Sequence, residues 1–265
     1  MSKIFTVCGI DASTSSTGVC FSRCYFDPKP RQELLDLLIN LETECDPKIL
    51  SDCFEIIHET EIKTPKFKSD KLTKIRKTKR EALKDKESPS IKDNAHEEIM
   101  VADRFRAIVW QTVDLIKQYK PDIVVLEDYS YRSQGSTTQL AELKGALKLL
   151  LIEEGLWDYD KPYFFTAPIP SVKKIASTMG NATKELICEN MTRYGFEGYE
   201  GMDDQLDAIA ISLSTFYAIY YRIFGFTFPT PPKAKDKQKI KSWVKCLENF
   251  ANRLGTAEEL QEWVS

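Results

Sequence analysis

Four consecutive apolar residues, Ile123-Val124-Val125-Leu126, sit between a helix-forming stretch that ends at Lys120-Pro121 and an abrupt pair of acids, Glu127-Asp128. A strand with one wet face alternates apolar and polar residues, whereas a strand apolar at every position is covered on both faces, as at the centre of an α/β sheet. The chain must therefore supply helices to two sides of a sheet, and its remaining pattern does so. Upstream, Ile99, Ala102, Phe105, Ile108/Val109, Thr112/Val113 and Ile116 recur at three- and four-residue steps, which predicts an amphipathic helix stopped by Pro121. The β-prone runs Ile4–Ile10 and Gly18–Phe26, joined by the polar turn Ala12–Thr17, predict a hairpin, and Phe54–Ile62 a third strand. Glu33–Leu41 reads as helical. Downstream come a helix marked by Leu140, Leu143, Leu147 and Leu150/Leu151, a short strand at Tyr163–Phe165, and helices through Val172–Ser177 and Thr183–Arg193. The last core helix runs from Asp203 to Phe224, with Leu206, Ile209/Ala210, Leu213 and Phe216/Tyr217 as its buried stripe. The order β-β-β-α-β-α-β-α-α is that of a mixed α/β domain.

With 265 residues, 42% of them hydrophobic, the chain can bury one substantial core, so one domain with insertions is the expectation. No apolar run approaches the roughly twenty residues of a membrane span, and MSKIFTVCGID lacks a basic segment leading into a signal-type core. A soluble, intracellular protein is expected. The seven cysteines include no C-x-x-C pair, and with only His58 and His96 beside them they read as reduced, buried thiols rather than a zinc site.

Net charge is −3, but residues 63–86 hold eleven Lys/Arg against three acids. The segment from Lys63 to about Asn94 has few apolar anchors and a Ser-Pro-Ser break at Ser88–Ser90, which predicts a flap, an arm or a partly disordered insertion. Lys74, Arg76, Lys77, Lys79 and Arg80 suit contact with a nucleic-acid backbone, where each cation that meets a phosphate releases counterions. Phe67 is the one aromatic there, so base reading is not expected. A merely solvated charge run has the same composition. The second basic stretch, Lys233–Lys241, precedes helical segments Ser242–Leu254 and Glu258–Val264, which read as a tail on a Pro-rich linker.

Four carboxylates occupy informative positions. Asp11 follows the first strand, Glu127 closes the apolar strand, and Asp204 and Asp207 lie three residues apart on one helix face. If the first and fourth strands are neighbours, Asp11 and Glu127 emerge side by side, and the last helix has only to cross the strand ends to complete a cluster. Taken singly, each acid has an ordinary explanation: a turn cap for Asp11, a helix start for Asp204, a surface exit for Glu127. Together they raise one another's pKa and call for neutralisation. Hard oxygen donors suit Mg2+ or Mn2+, and two such ions, about 3.5–4 Å apart, clamp a scissile phosphate.

The motifs in which these acids stand resemble those of RuvC-type Holliday-junction resolvases, members of the ribonuclease H-like superfamily. GIDASTSSTG (Gly9–Gly18) resembles the family's first motif, with Ser13 where a glycine is usual. PDIVVLEDYSY (Pro121–Tyr131) resembles the second, APIPSVKKIASTMGNATKELI (Ala167–Ile187) its V-K…A-x-K stretch, and DDQLDAIAIS (Asp203–Ser212) its closing acidic helix. The motifs span residues 4 to about 222 and leave out roughly 27–52, 63–96 and 229–265. The resemblance implies a ribonuclease H-like nuclease domain over 1–228, followed by a linker and helical tail over 229–265. It implies metal ligands at Asp11, Glu127, Asp204 and Asp207, Lys184 as a catalytic and phosphate-contacting residue, Lys173 as a second phosphate contact, and Tyr129 or Tyr131 at the branch point. It further implies paired, symmetric nicking of four-way DNA by a homodimer, in which the Thr138–Ile152 helix is a candidate surface or equally a piece of core. The long insertions suit a bacteriophage or viral member, working in a bacterial cytoplasm or an infected host.

Other readings share parts of the pattern. G-I-D-x-S-T also opens the phosphate loop of actin-like ATPases and sugar kinases, although no Gly-Gly for a nucleotide site occurs in this chain. A non-catalytic junction-binding protein fits if the acids point apart. Flaps and forks remain alternative substrates, because the shape of the cleft selects among branched forms.

Overall fold

The computed structural model describes residues 3–14, 16–26, 34, 48–64, 66–85, 88–128, 137–157, 163–177, 180, 182–199, 201–225 and 234–264. In chain order the elements are β1 (Lys3–Ala12), β2 (Ser16–Phe26), α1 (Lys48–Ser51), β3 (Phe54–Lys63), α2 (Lys66–Lys84), α3 (Ile91–Tyr119), β4 (Ile123–Glu127), α4 (Thr137–Glu153), β5 (Tyr163–Ala167), α5 (Ile169–Ser177), α6 (Lys184–Arg193), α7 (Asp203–Phe224), α8 (Ala234–Ala251) and α9 (Ala257–Val264). The helix expected at Glu33–Leu41 falls outside the described residues, except for buried Leu34.

The five strands form one sheet in the order β3-β2-β1-β4-β5, in which β2 alone runs against the others. This is a mixed α/β sheet with helices on both faces. Side-chain parity divides the core. From β1, Val7 faces one layer with α5, α6, α7 and the C-terminal helices, while Cys8 and Ile10 face the other with α3 and α4. β4 splits the same way: Ile123 and Val125 go to the α7 layer, Val124 and Leu126 to the α3 layer, and all four are fully buried. A doubly covered strand is what the unbroken apolar run requires.

Two expectations change. The basic segment is not an irregular arm: residues 66–84 form α2, a helix of 19 residues, and α3 begins at Ile91. Ser90 caps α3 by accepting the Asp93 amide at 3.0 Å, and Ile99, placed by periodicity on the buried stripe, is 61% exposed. α3 stops where Lys120 turns left-handed (φ 45°) ahead of Pro121. Second, the C-terminal segment is not an appendage. Trp243, Leu247, Phe250, Leu254 and Leu260 are buried in the same core as α7. α7 is in consequence buried on all sides from Ala208 to Tyr220 rather than along a single stripe. Of the two alternatives open for the α4 stripe, core applies to Leu143, Leu147 and Leu151, leaving Leu149 and Ile152 exposed on its outer side.

Candidate active site

The parity that divides the core also aims the acids. Asp11 follows Val7 and Gly9 on the α7 face of β1, and Glu127 follows Ile123 and Val125 on the same face of β4. Because β1 and β4 run parallel with Ile10 opposite Leu126, the next residues along each strand, Asp11 and Glu127, leave the sheet side by side. Asp11 is 9% exposed, and its carboxyl group is hydrogen-bonded to that of Glu127.

α7 crosses these strand ends at unusually close range, and two glycines allow it. A Cβ on Gly9 would stand 2.5 Å from the Ala208 carbonyl and 2.9 Å from the Ser212 amide, and one on Gly18 would run into the Asp204 carbonyl. With both positions bare, the helix backbone rests on the strands and is pinned by a 2.5 Å hydrogen bond between the hydroxyls of Ser22 and Ser212. Its first turns thereby bring Asp204 and Asp207 to the Asp11–Glu127 pair. Asp204 Oδ2 accepts a hydrogen bond from Ser16 Oγ. Lys184, opening α6 behind the Thr183 cap, lies 3.0 Å from Asp203 and 3.9 Å from Asp207.

Burial and mutual repulsion dominate the electrostatics. Burial pushes the Asp11 carboxyl well above the ordinary range, and the charges of Glu127, Asp207 and Asp204 push it further. Glu127 is raised by burial and then by Asp207, with partial relief from the Asp11 hydrogen bond and from Lys144 and Lys173. Asp207 is raised chiefly by burial, against which Lys184 and Lys173 pull. In Lys184, burial opposes the ammonium form but Asp203, Asp207 and Asp204 outweigh it, so its pKa rises. Lysines 173 and 184 are thus drawn to the acids, where the sequence motifs put them.

Among the described residues, no three His, Cys, Asp or Glu side chains are drawn up tightly enough to enclose a metal ion as they lie. The chemistry of the donors nevertheless fits a hard divalent cation. The charged groups acting on Asp11, Glu127 and Asp207 are carboxylates and lysines alone, and burial with mutual repulsion holds all three carboxyls above their ordinary range, a repulsion that a divalent cation would relieve.

Sequence reasoning missed three participants. Lys144 on α4 is 2% exposed and donates from Nζ to the Glu127 carbonyl; burial lowers its pKa while Glu127, Asp128 and Asp11 hold the charge in place. A lysine sharing a helix face with Leu140 and Leu147 was the available signal. Ser16 was hidden in the turn. Arg253, just beyond α8, reaches Asp128 Oδ2 at 2.9 Å and the Thr166 carbonyl at 3.2 Å, tying the C-terminal helices to the residue after Glu127. Nothing in the local sequence announces that contact. Tyr129 and Tyr131 lie outside the described residues.

The basic residues are elsewhere. α2 packs on α3, on the opposite side of the sheet from α7. There Arg76 Nε meets Glu97 at 2.8 Å, Lys79 pairs with the same carboxylate, Lys77 lies 4.0 Å from Glu81, and Lys74 and Arg80 are exposed.

No family model matches the chain. Among solved structures it is similar to Thermus thermophilus RuvC, at 17% identity over 80% of this chain and 95% of that one, with a TM-score of 0.48. It is similar to T. thermophilus RuvC in complex with Holliday junction substrate, at 16% identity over 81% and 94%, with a TM-score of 0.48. To the yeast mitochondrial Holliday junction resolvase the identity is 13% over 93% and 81%, with a TM-score of 0.35. Likeness at that distance concerns the course of the chain; the chemistry is a matter of the side chains. No described helix is long and apolar enough to cross a membrane.

Proposed function

We propose that this chain is a divalent-metal-dependent endonuclease that nicks branched DNA, with the four-way junction as its substrate and a homodimer as its working form. The observation that carries the nuclease reading is the hydrogen-bonded Asp11–Glu127 pair lying beneath the turn of α7 that bears Asp204 and Asp207. Asp11, Glu127, Asp204 and Asp207 would hold Mg2+ or Mn2+, two ions per site, which when bound activate water and stabilise the leaving 3′ oxygen. The chain's own residues do the rest. Lys144 fixes the Glu127 main chain, Ser16 orients Asp204, and Lys184 and Lys173 offer positive charge to a phosphate brought against the acids. Branched DNA as the substrate and the two-fold assembly rest on the motifs at Gly9–Gly18, Pro121–Tyr131, Ala167–Ile187 and Asp203–Ser212.

The test is cleavage of a synthetic four-way junction and a matched linear duplex, with Mg2+ and with EDTA, by the natural chain and by Asp11→Asn. Paired nicks on the junction, little cutting of duplex, and a mutant that binds without cutting are the expected results. Equal cutting by both proteins, or cutting in EDTA, would reject the assigned site.

A further inference from the structure

A cleft of about 440 Å3 opens between α2, α3, the start of α4 and the turn after β1; among its lining residues are Thr14, Arg76, Lys79, Arg80, Glu97 and Gln139. That volume falls within the range of small-ligand sites, roughly 300–1,000 Å3. Three cations face one anion there. Glu97 holds two of them in place, taking Arg76 Nε at 2.8 Å and pairing with Lys79, while Arg76 Nη2 reaches Gln139 Oε1 at 3.5 Å. Arg80 has no ion-pair partner among the described residues. Behind Thr14 stands a fourth cation: Arg104, 8% exposed, donates to the Thr14 carbonyl, and its buried Nε has no partner among the described residues. A partly enclosed concentration of guanidinium groups around one carboxylate is suited to a tetrahedral oxyanion, which Arg grips through two parallel N–H donors.

Location makes the ligand more specific. Thr14 is three residues beyond Asp11, a separation that no chain can stretch past about 11 Å. A strand whose scissile phosphate lies at Asp11 and which runs on past the β1–β2 turn would carry its next phosphates to the cleft. Among the described residues no aromatic side chain lines it, and contact through these cations is blind to sequence. We infer that the cleft is a phosphate subsite for the cleaved DNA strand, with Arg80 as its leading contact, Arg76 and Lys79 preset by Glu97, and the β1–β2 turn coupling it to Asp11. The inference rests on the proposed nuclease reading and adds to it a place on the strand. Arg76, Lys79 and Arg80 belong to α2, a part of the chain outside the resolvase-like motifs, so these cations are supplied by this chain's own insertion.

The experiment uses the full chain carrying Asp11→Asn, bound to a fluorescent four-way junction with Mg2+ and titrated over a range of salt, with and without Arg80→Ala. Loss of Arg80 is expected to weaken binding several-fold and to lower the slope of log K against log[salt] by about one. Neutral methylphosphonates are then placed one at a time within about four nucleotides of the cut. One position should weaken the Asp11→Asn protein several-fold and have no further effect once Arg80 is removed. An unchanged slope with Arg80→Ala, or a methylphosphonate penalty that persists in full without Arg80, overturns the subsite while leaving the nuclease reading intact. Failure of the Asp11→Asn protein to bind the junction at any salt overturns both.

Discussion

The acids beneath α7 and the cations of α2 are two charged regions of this molecule held in opposite ways. The acids are few and gathered at one place, and the ionisation of Asp11, Glu127 and Asp207 is shaped by burial and by the charges beside them. The cations are many, mostly exposed and spread along one helix, where water screens them and their contributions add. A cluster of the first kind works through small displacements and single atoms. A surface of the second kind works through its sum, and the loss of one member costs little except where a cleft, as at Arg80, concentrates several.

Removing one acid should have the largest effect and should act in two directions. Asp11→Asn is expected to slow cutting by roughly a hundred- to a thousandfold. It should also raise the melting temperature in EDTA, because a buried, repelled carboxylate disappears. The pH dependence gives the sign. A carboxyl whose pKa is raised by folding binds its proton more tightly in the native state, so its contribution to stability is present at low pH. That contribution is lost as pH climbs from about 4, the ordinary carboxylate value, through the raised native value. In EDTA the natural chain should therefore lose stability across that window, and Asp11→Asn should flatten the loss. A parallel dependence in both proteins would show that the acids are not coupled as described.

Next comes the seat of the helix. Gly18→Val places carbon where the Asp204 carbonyl now lies, so α7 must lift from the strands. A cost of about 1–3 kcal/mol is expected from chemical denaturation, together with loss of cutting under conditions where the protein remains folded. Retained activity would mean that close approach of α7 is unnecessary to the site. Lys144→Met tests the cation beneath Glu127. A drop in cutting of about 10- to 100-fold, with a higher requirement for metal, is expected from a residue that positions a ligand; an unchanged metal titration would reduce Lys144 to a packing role. The smallest effects belong to α2. Lys74→Ala and Lys77→Ala should each change stability by less than about 0.5 kcal/mol and lower the salt slope of junction binding by at most about one. A loss as large as that of Lys144→Met would break the distinction between the two regions.

The legibility of the two regions also differs. The strand carrying Glu127 was readable because complete burial leaves an unbroken apolar run, and α7 was bounded correctly from Asp203 to Phe224 because its periodicity is long and regular. The parity of β1 and β4 then put both carboxylates on one face. α2 was misread because its helix-forming residues are almost all charged, and what holds it, Ile75 packing and Glu97 pairing with Arg76 and Lys79, lies partly in α3. The C-terminal helices were read as a tail because a Pro-rich stretch and a basic run precede them. Their apolar faces reveal a partner's existence but not its identity, and that partner is α7 together with α5.

Local composition and spacing thus determined the strands, the main helices and the positions of four acids along the chain, since each follows from interactions within a few residues. Only the folded structure decided that two glycines let a helix rest on bare backbone, that Lys144 and Ser16 join the acids, and that Arg253 reaches Asp128. These contacts link segments between 17 and 203 residues apart, and their energy depends on distances that no pattern along a single segment encodes.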